Sequence, residues 1–347
     1  MRLQLLRTAS AEKAAHSRFK AAVSIASSTL RPNLHALGIG RKIVKGKATS
    51  ARCVRLYVAK KYAESSLPID NRLPKEVEGV PTDVIESPPA ALLGARPGKR
   101  QSAGESAPPS AMCSAARRAK VRPLVAGIST AHFDLTAGTL GAFCRSLKPG
   151  DDPGWVFVLS NNHVYADLNR AQVGDELRQP GPADGGTNSG CRIAVLHRWT
   201  PIRIGGALAN TVDAAIGKLD DGIEYRAEVC SIGAILGLAR AVENMAVCKH
   251  GRTTGYTEGL VTDESYDVLI GVDENDSSRV ALFENQMRLE KAGAFAFFAL
   301  RGDSGSLVVK KGTGKAVGLY FAGPPGGEYG VANHIQDVLG ELHIVFL

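Results

Sequence analysis

Past residue 123 the chain is written in short apolar runs, each of strand length and each closed by Gly, Asp, Asn or Pro. The runs include "GTLGAFCRSL", "GWVFVLS", "CRIAVLHRW", "NTVDAAIGKL", "YDVLIGV", "AFAFFAL", "SGSLVVKK" and "AVGLYFAG". Many short runs with turn punctuation and no intervening helical period predict an all-β sandwich or barrel rather than alternating βαβ units. Only "HIQDVLGELH" near the end carries apolar residues at helical spacing, and it predicts a closing helix. Upstream, residues 10–29 are Ala-rich with loosely helical spacing. "LHALGIGRKIVKGKATSARCVRLYVAKK" follows and predicts two strands joined by a turn at "KGKA", with a further strand around Val80 to Ile85. These make residues 1–94 a small α+β domain. Residues 95–122 are rich in Pro, Ser, Ala, Gly and Arg with hardly a large apolar side chain, so they bury too little to offset their ordering entropy and are expected to form a flexible linker. The remainder, 123–347, is a mainly β domain.

Charge sharpens that division. The formal net charge of +8 conceals 23 Lys and Arg against 8 Asp and Glu in residues 1–122, and 19 against 26 in the rest. A basic segment can attract nucleic acid or an acidic partner. No aromatic residues interleave with these charges, which favours a solvated face over nucleic-acid binding. No run of eighteen apolar residues exists, so no membrane-spanning helix is expected, and the basic N-terminus lacks the apolar stretch of a secretory signal. Six cysteines lie far apart with no CxxC pair, which argues against a zinc site and a dense disulfide framework. Free and mostly buried thiols in a reducing, cytoplasmic compartment are the expectation, with disulfides left open because connectivity cannot be read from sequence. No metal or cofactor is called for, and "VDENDSSR" lacks the ligand spacing of a calcium loop and reads as a turn.

Candidate chemistry centres on "RGDSGSLVV", residues 301–309. Gly, Asp and Ser are ordinary turn residues. They can equally set a serine nucleophile on a tight loop with backbone N–H groups aimed at a carbonyl oxygen. Partners decide between the two. "WVFVLSNNHVYA" ends an apolar strand with a short polar turn that presents His163, where a general base would sit. "NTVDAAIGKL" places Asp213 at the entry to another apolar strand, where a carboxylate must be hydrogen-bonded and can be satisfied by orienting an imidazole. Asp220 and Asp221 in "KLDDG" are rivals by sequence position, although they read as an exposed turn.

The order His163, Asp213, Ser304 in "SNNHV", "VDAAI" and "GDSGS" resembles the chymotrypsin-like (trypsin-like) serine proteases, and "HGRTTGYTEGLVT" resembles a second-barrel segment of bacterial members. The lack of flanking disulfides is more like the intracellular bacterial or HtrA-type relatives, here without a PDZ domain. The resemblance covers residues 124–347. It implies a chymotrypsin-like double β-barrel and a serine endopeptidase that hydrolyses protein or peptide substrates through an acyl-enzyme intermediate. Gly302 and Ser304 would then supply the oxyanion-hole N–H groups. Phe298 would lie at the base of the side-chain pocket, and Tyr320, Phe321, Ala322 and Gly323 would form the strand that pairs with substrate. With no acid at Phe298, the resemblance implies small or apolar side chains rather than basic ones. It also raises activation by a cut in the linker, after which a new amine would pair with Asp303. The N-terminal domain would position substrate, inhibit, or bind a regulatory protein. A competing reading is a latent protease-fold scaffold whose basic N-terminal domain binds a partner or nucleic acid.

Overall fold

The computed structural model describes residues 33–44, 47–92, 113, 116–205 and 208–347. Two curled sheets carry the architecture. The first has eight strands in the order 344–346, 142–146, 157–160, 215–219, 192–199, 176–178, 129–132 and 138–139. Its core is aliphatic and aromatic, with Phe157, Val158 and Leu159 of the run "FVLS" all inaccessible to solvent. The second sheet closes on itself. Strand Ala246–Gly251 pairs with Leu307–Lys310, which pairs with Lys315–Gly323, then Tyr329–His334, Val280–Lys291 and Gly255–Gly271, and the last returns to Ala246–Gly251. The helix Ile335–Leu342 packs its apolar face into a core cluster shared by the first sheet and by strands Leu307–Lys310 and Lys315–Gly323 of the second, as its helical spacing predicts.

Strand Gly255–Gly271 shows how the N-terminal strands join this body. Its first half alternates buried and part-exposed residues, the signature of a sheet with one solvated face. From Tyr266 onward every residue is buried. Tyr266, Val268 and Ile270 face a cluster with Phe283 and Phe321, while Leu269 faces another with Leu37, Val54, Leu56 and Leu282. Strand Leu34–Val44 pairs antiparallel with this half, matching Ala36 to Val268 and Gly38 to Tyr266. Lys47–Val58 pairs with Leu34–Val44, and Val80–Glu86 runs parallel to Lys47–Val58. Residues 34–86 therefore extend the second sheet. A buried ion pair fastens them: Arg55 Nη1 donates to Asp263 Oδ2 at 3.1 Å, and Tyr57 Oη–H donates to the same oxygen at 2.6 Å.

Three expectations meet the structure differently. The helix expected over 10–29 and most of the linker lie outside the described residues. The far end of that linker is bonded to the body rather than loose: the Val121 N–H and Arg122 Nη1 both donate to Gln179 Oε1, and Lys120 Nζ donates to the Gly190 carbonyl. The cysteines are not all thiols. Cys113 and Cys230 form a disulfide, tying that linker end to the body across 117 residues of sequence, whereas Cys53, Cys144, Cys191 and Cys248 are buried thiols. Isolated single cysteines give no sequence signal of pairing, and the disulfide removes the ground on which a reducing compartment was expected. Among the described residues no helix is long and apolar enough to cross a membrane.

Candidate active site

His163 sits in a single helical turn, Asn162–Tyr165, directly after strand Phe157–Ser160. The sequence "SNNH" reads as an exposed turn, but the structure buries it: His163 is 1% exposed. The asparagines are consumed internally. Asn161 Nδ2 donates to the Asp213 carbonyl at 2.7 Å, and Asn162 Nδ2 donates to Asn169 Oδ1 and the Thr200 carbonyl, both at 2.8 Å. These donors offset much of the cost of burying a polar stretch, although Asn161 Oδ1 is buried without a partner.

Asp213, just ahead of strand Ala215–Leu219, is fully buried. Its Oδ2 accepts from His163 Nδ1 at 2.5 Å and its Oδ1 from the His163 backbone N–H at 3.2 Å. A carboxylate can only accept, so His163 Nδ1 carries a proton, and in the neutral ring Nε2 carries the lone pair. That Nε2 is buried and has no hydrogen-bond partner. The backbone of Asp213 is fixed in turn: its N–H donates to Asn333 Oδ1, and Asn333 Nδ2 donates to Gln286 Oε1 at 2.6 Å. Asp220 is no rival, because it pairs with Arg192 at 2.8 Å, and Asp221 is exposed.

Ser304 comes from the second sheet, in the loop before Leu307–Lys310, and is fully buried. Its Oγ–H donates to the Phe321 carbonyl at 3.3 Å, not to His163. The loop is clamped to the first sheet by Thr139, whose N–H donates to the Ser304 carbonyl at 2.7 Å and whose Oγ1–H donates to the Gly302 carbonyl at 2.9 Å. A Cβ on Gly138, beside Thr139, would lie 2.6 Å from Val164, the neighbour of His163, and 3.1 Å from the Ser304 carbonyl, so the two halves of the site meet there. Gly302 has φ +92° and Gly305 φ +95°, a region L-residues rarely adopt. A Cβ on Gly305 would also fall 2.2 Å from Ser160 Oγ and the Thr139 carbonyl. Neither the Gly302 nor the Ser304 N–H donates to a backbone carbonyl among the described residues.

Asp303, between these two residues, is held by five donors. Oδ1 accepts from the Thr253 and Thr254 N–H groups, and Oδ2 from the Leu300 N–H at 2.9 Å, Thr254 Oγ1 at 2.7 Å and Lys249 Nζ at 3.3 Å. Burial pushes its carboxyl up, but Lys249 and these donors outweigh burial and hold it below the usual carboxylate range. Lys249, also fully buried, gives Asp303 a cationic partner from within the chain, where a cut linker was the alternative source of one. The lysine was legible only in part: "VCKHG" puts a charge inside an apolar run, a feature that asks for a partner.

The residues expected to line the substrate pocket lie close together and are all buried: Phe298, Tyr320, Phe321, Ala322 and Gly323. The rings of Phe298 and Tyr320 meet edge to face at 6.4 Å, and a Cβ on Gly330 would lie within 3.2 Å of both. The base of this region is filled by aromatic carbon.

The two sheets, with His163 and Asp213 on one and Ser304 on the other, form a mainly β, double-barrel architecture. Two curled sheets in a mainly β chain are consistent with a chymotrypsin-like double β-barrel. No protein-family model and no curated protein matches the chain. Among solved structures it is similar to the Nocardiopsis protease NAPase, at 15% identity over 64% of this chain and 97% of that one, with a TM-score of 0.44. Protease A of Thermobifida fusca matches at 13% identity over 64% and 97%, with a TM-score of 0.43. A glutamic acid specific serine protease matches at 17% identity over 65% and 100%, with a TM-score of 0.44.

Proposed function

We propose that the chain is a serine endopeptidase in which His163 is the general base, Asp213 its orienting carboxylate and Ser304 the nucleophile. The observation that carries this reading is the buried His163–Asp213 bond with Nε2 left without a partner. A buried ring nitrogen is costly to leave unpaired, and one held in a fixed tautomer beside a serine loop is arranged to take a proton.

In the reaction Ser304 Oγ attacks the scissile carbonyl carbon and its proton passes to His163 Nε2. The carbonyl oxygen becomes an oxyanion held by the Gly302 and Ser304 N–H groups. Collapse breaks the C–N bond, and His163 returns the proton to the departing amine, leaving an ester on Ser304. A water then gives its proton to His163 and attacks the ester. Ser304 leaves with that proton, so one water is consumed per bond broken. Ser304 reaches this geometry by turning its hydroxyl from the Phe321 carbonyl to Nε2. Phe298 and Tyr320 carry no charge themselves, and the Lys249 ammonium 6.0 Å from the Phe298 ring centroid is already paired with Asp303, so the preference is for small or apolar side chains.

Covalent labelling with a fluorescent fluorophosphonate tests the assignment without a known substrate. The wild type is expected to label, slowly because Ser304 is buried, and both Ser304→Ala and His163→Ala to fall at least a hundredfold. Equal labelling of wild type and Ser304→Ala would overturn it.

A further inference from the structure

The strand that the sequence resemblance gives to substrate already has an occupant, whose role rests on that placement. Ala91–Leu92 pairs antiparallel with Lys315–Gly323, placing Ala91 opposite Gly323 and Leu92 opposite Ala322. As the chain advances from Ala91 to Leu92, its partner steps from Gly323 to Ala322, toward Phe321. The Phe321 carbonyl is the group that holds the Ser304 hydroxyl. The segment therefore runs along the substrate edge toward the nucleophile, as a peptide presented for cleavage would.

It is held there on several sides. The Ala90 carbonyl accepts from the Gly271 N–H at 3.1 Å, and Ala91 pairs in parallel with Gly271. Tyr329 Oη–H donates to the Pro88 carbonyl at 2.8 Å, and His35 Nε2 lies 2.8 Å from the Ser87 carbonyl. Leu92 is 3% exposed, in an apolar cluster with Leu168, Ile202, Phe283 and Phe321. Leu168 and Ile202 come from the first barrel's half of the molecule and Phe321 from the second, so the leucine bridges both.

We propose that Ala90–Leu92 is a resident substrate mimic, that the strands of residues 34–86 seat it as a built-in inhibitor, and that the substrates displacing it are extended apolar peptides of Ala-Leu type. This rests on Ser304 being the nucleophile. β-strand addition supplies the backbone bonds, and the cluster around Leu92 supplies the side-chain selection. An inhibitor in the same chain acts at a high effective concentration, so a weak two-residue strand suffices.

The test compares fluorophosphonate labelling of full-length wild type, Leu92→Asp and Leu92→Ala, with unfolding midpoints measured in parallel. Leu92→Asp places a charge in an apolar site and is expected to label at least tenfold faster than wild type, with Leu92→Ala rising less. A synthetic peptide of the sequence PPAALLGAR, residues 88–96, added to Leu92→Asp is expected to slow labelling back toward the wild-type rate. If Leu92→Asp does not fold, Leu92→Ala with the peptide decides alone. A folded variant that labels at the wild-type rate, or a rate the peptide does not change, overturns the inhibitor while leaving Ser304 as nucleophile. Failure of every variant to label at Ser304 overturns the nucleophile itself.

Discussion

Two buried aspartates flank the serine loop, and they are treated in opposite ways. Asp303 is saturated: two backbone N–H groups on one oxygen, and a backbone N–H, a hydroxyl and the Lys249 ammonium on the other. Asp213 spends one oxygen on the His163 ring and the other on the His163 backbone, and the ring it orients ends in a nitrogen with no partner. The first arrangement fixes a loop, and the second leaves one acceptor poised. Completed hydrogen bonding is what a loop-fixing charge needs, and an open Nε2 is what the proposed general base needs.

Loss of the Asp213 carboxylate has the largest expected effect. In Asp213→Asn the amide no longer fixes the tautomer of His163, and the labelling rate is expected to fall about 10⁴-fold with little change of fold. Rates of labelling against the wild type check this. Next in size, Lys249→Met strips Asp303 of the ammonium bonded to its Oδ2, and removing one member of a buried pair costs about 3–5 kcal/mol. Denaturant unfolding reads that loss, and a change below about 1 kcal/mol would mean that the four other donors suffice.

A third effect depends on pH. His250, fully buried beside this pair, donates from Nδ1 to the Gly127 carbonyl at 2.9 Å. Burial, with smaller contributions from Lys249 and Arg117, lowers its pKa from the ordinary 6.5 to about 4. The folded state thus holds the neutral ring while the unfolded chain protonates near pH 6.5. The associated stability is fully present above that pH and is lost as pH falls toward 4, at most about 3 kcal/mol. Unfolding at pH 7 and pH 4.5 should show this slope in the wild type and a flatter one in His250→Gln. Smallest is Thr139→Val, which removes the hydroxyl between the Gly302 carbonyl and the Arg252 N–H, bonded at 2.9 and 3.0 Å. About 1–2 kcal/mol is expected, with slower labelling from a looser loop.

The part of the site readable from sequence is the part that sits at strand ends. His163, Asp213 and Ser304 each follow or precede an apolar run, so position along the chain and residue chemistry agree. The fittings that make the site were hidden because they join residues distant in sequence. Lys249 reaches Asp303 across 54 positions. Cys113 and Cys230 carry no spacing signal, and Asn333 touches Asp213 from a strand 120 residues away. Ala91–Leu92 is a two-residue strand, too short for any period, inside a stretch whose composition reads as a boundary. The burial of His163 was missed for a related reason: "SNNH" is polar by composition, but its amides find partners near Asp213, Asn169 and Thr200 that only the folded chain assembles.

The most direct measurement is to locate the fluorophosphonate adduct by peptide mass mapping in Leu92→Asp, alone and combined with Asp213→Asn. The account requires the adduct on Ser304 in the single variant and its near disappearance in the double. An adduct on another residue, or one on Ser304 that survives loss of the Asp213 carboxylate unchanged, would contradict it.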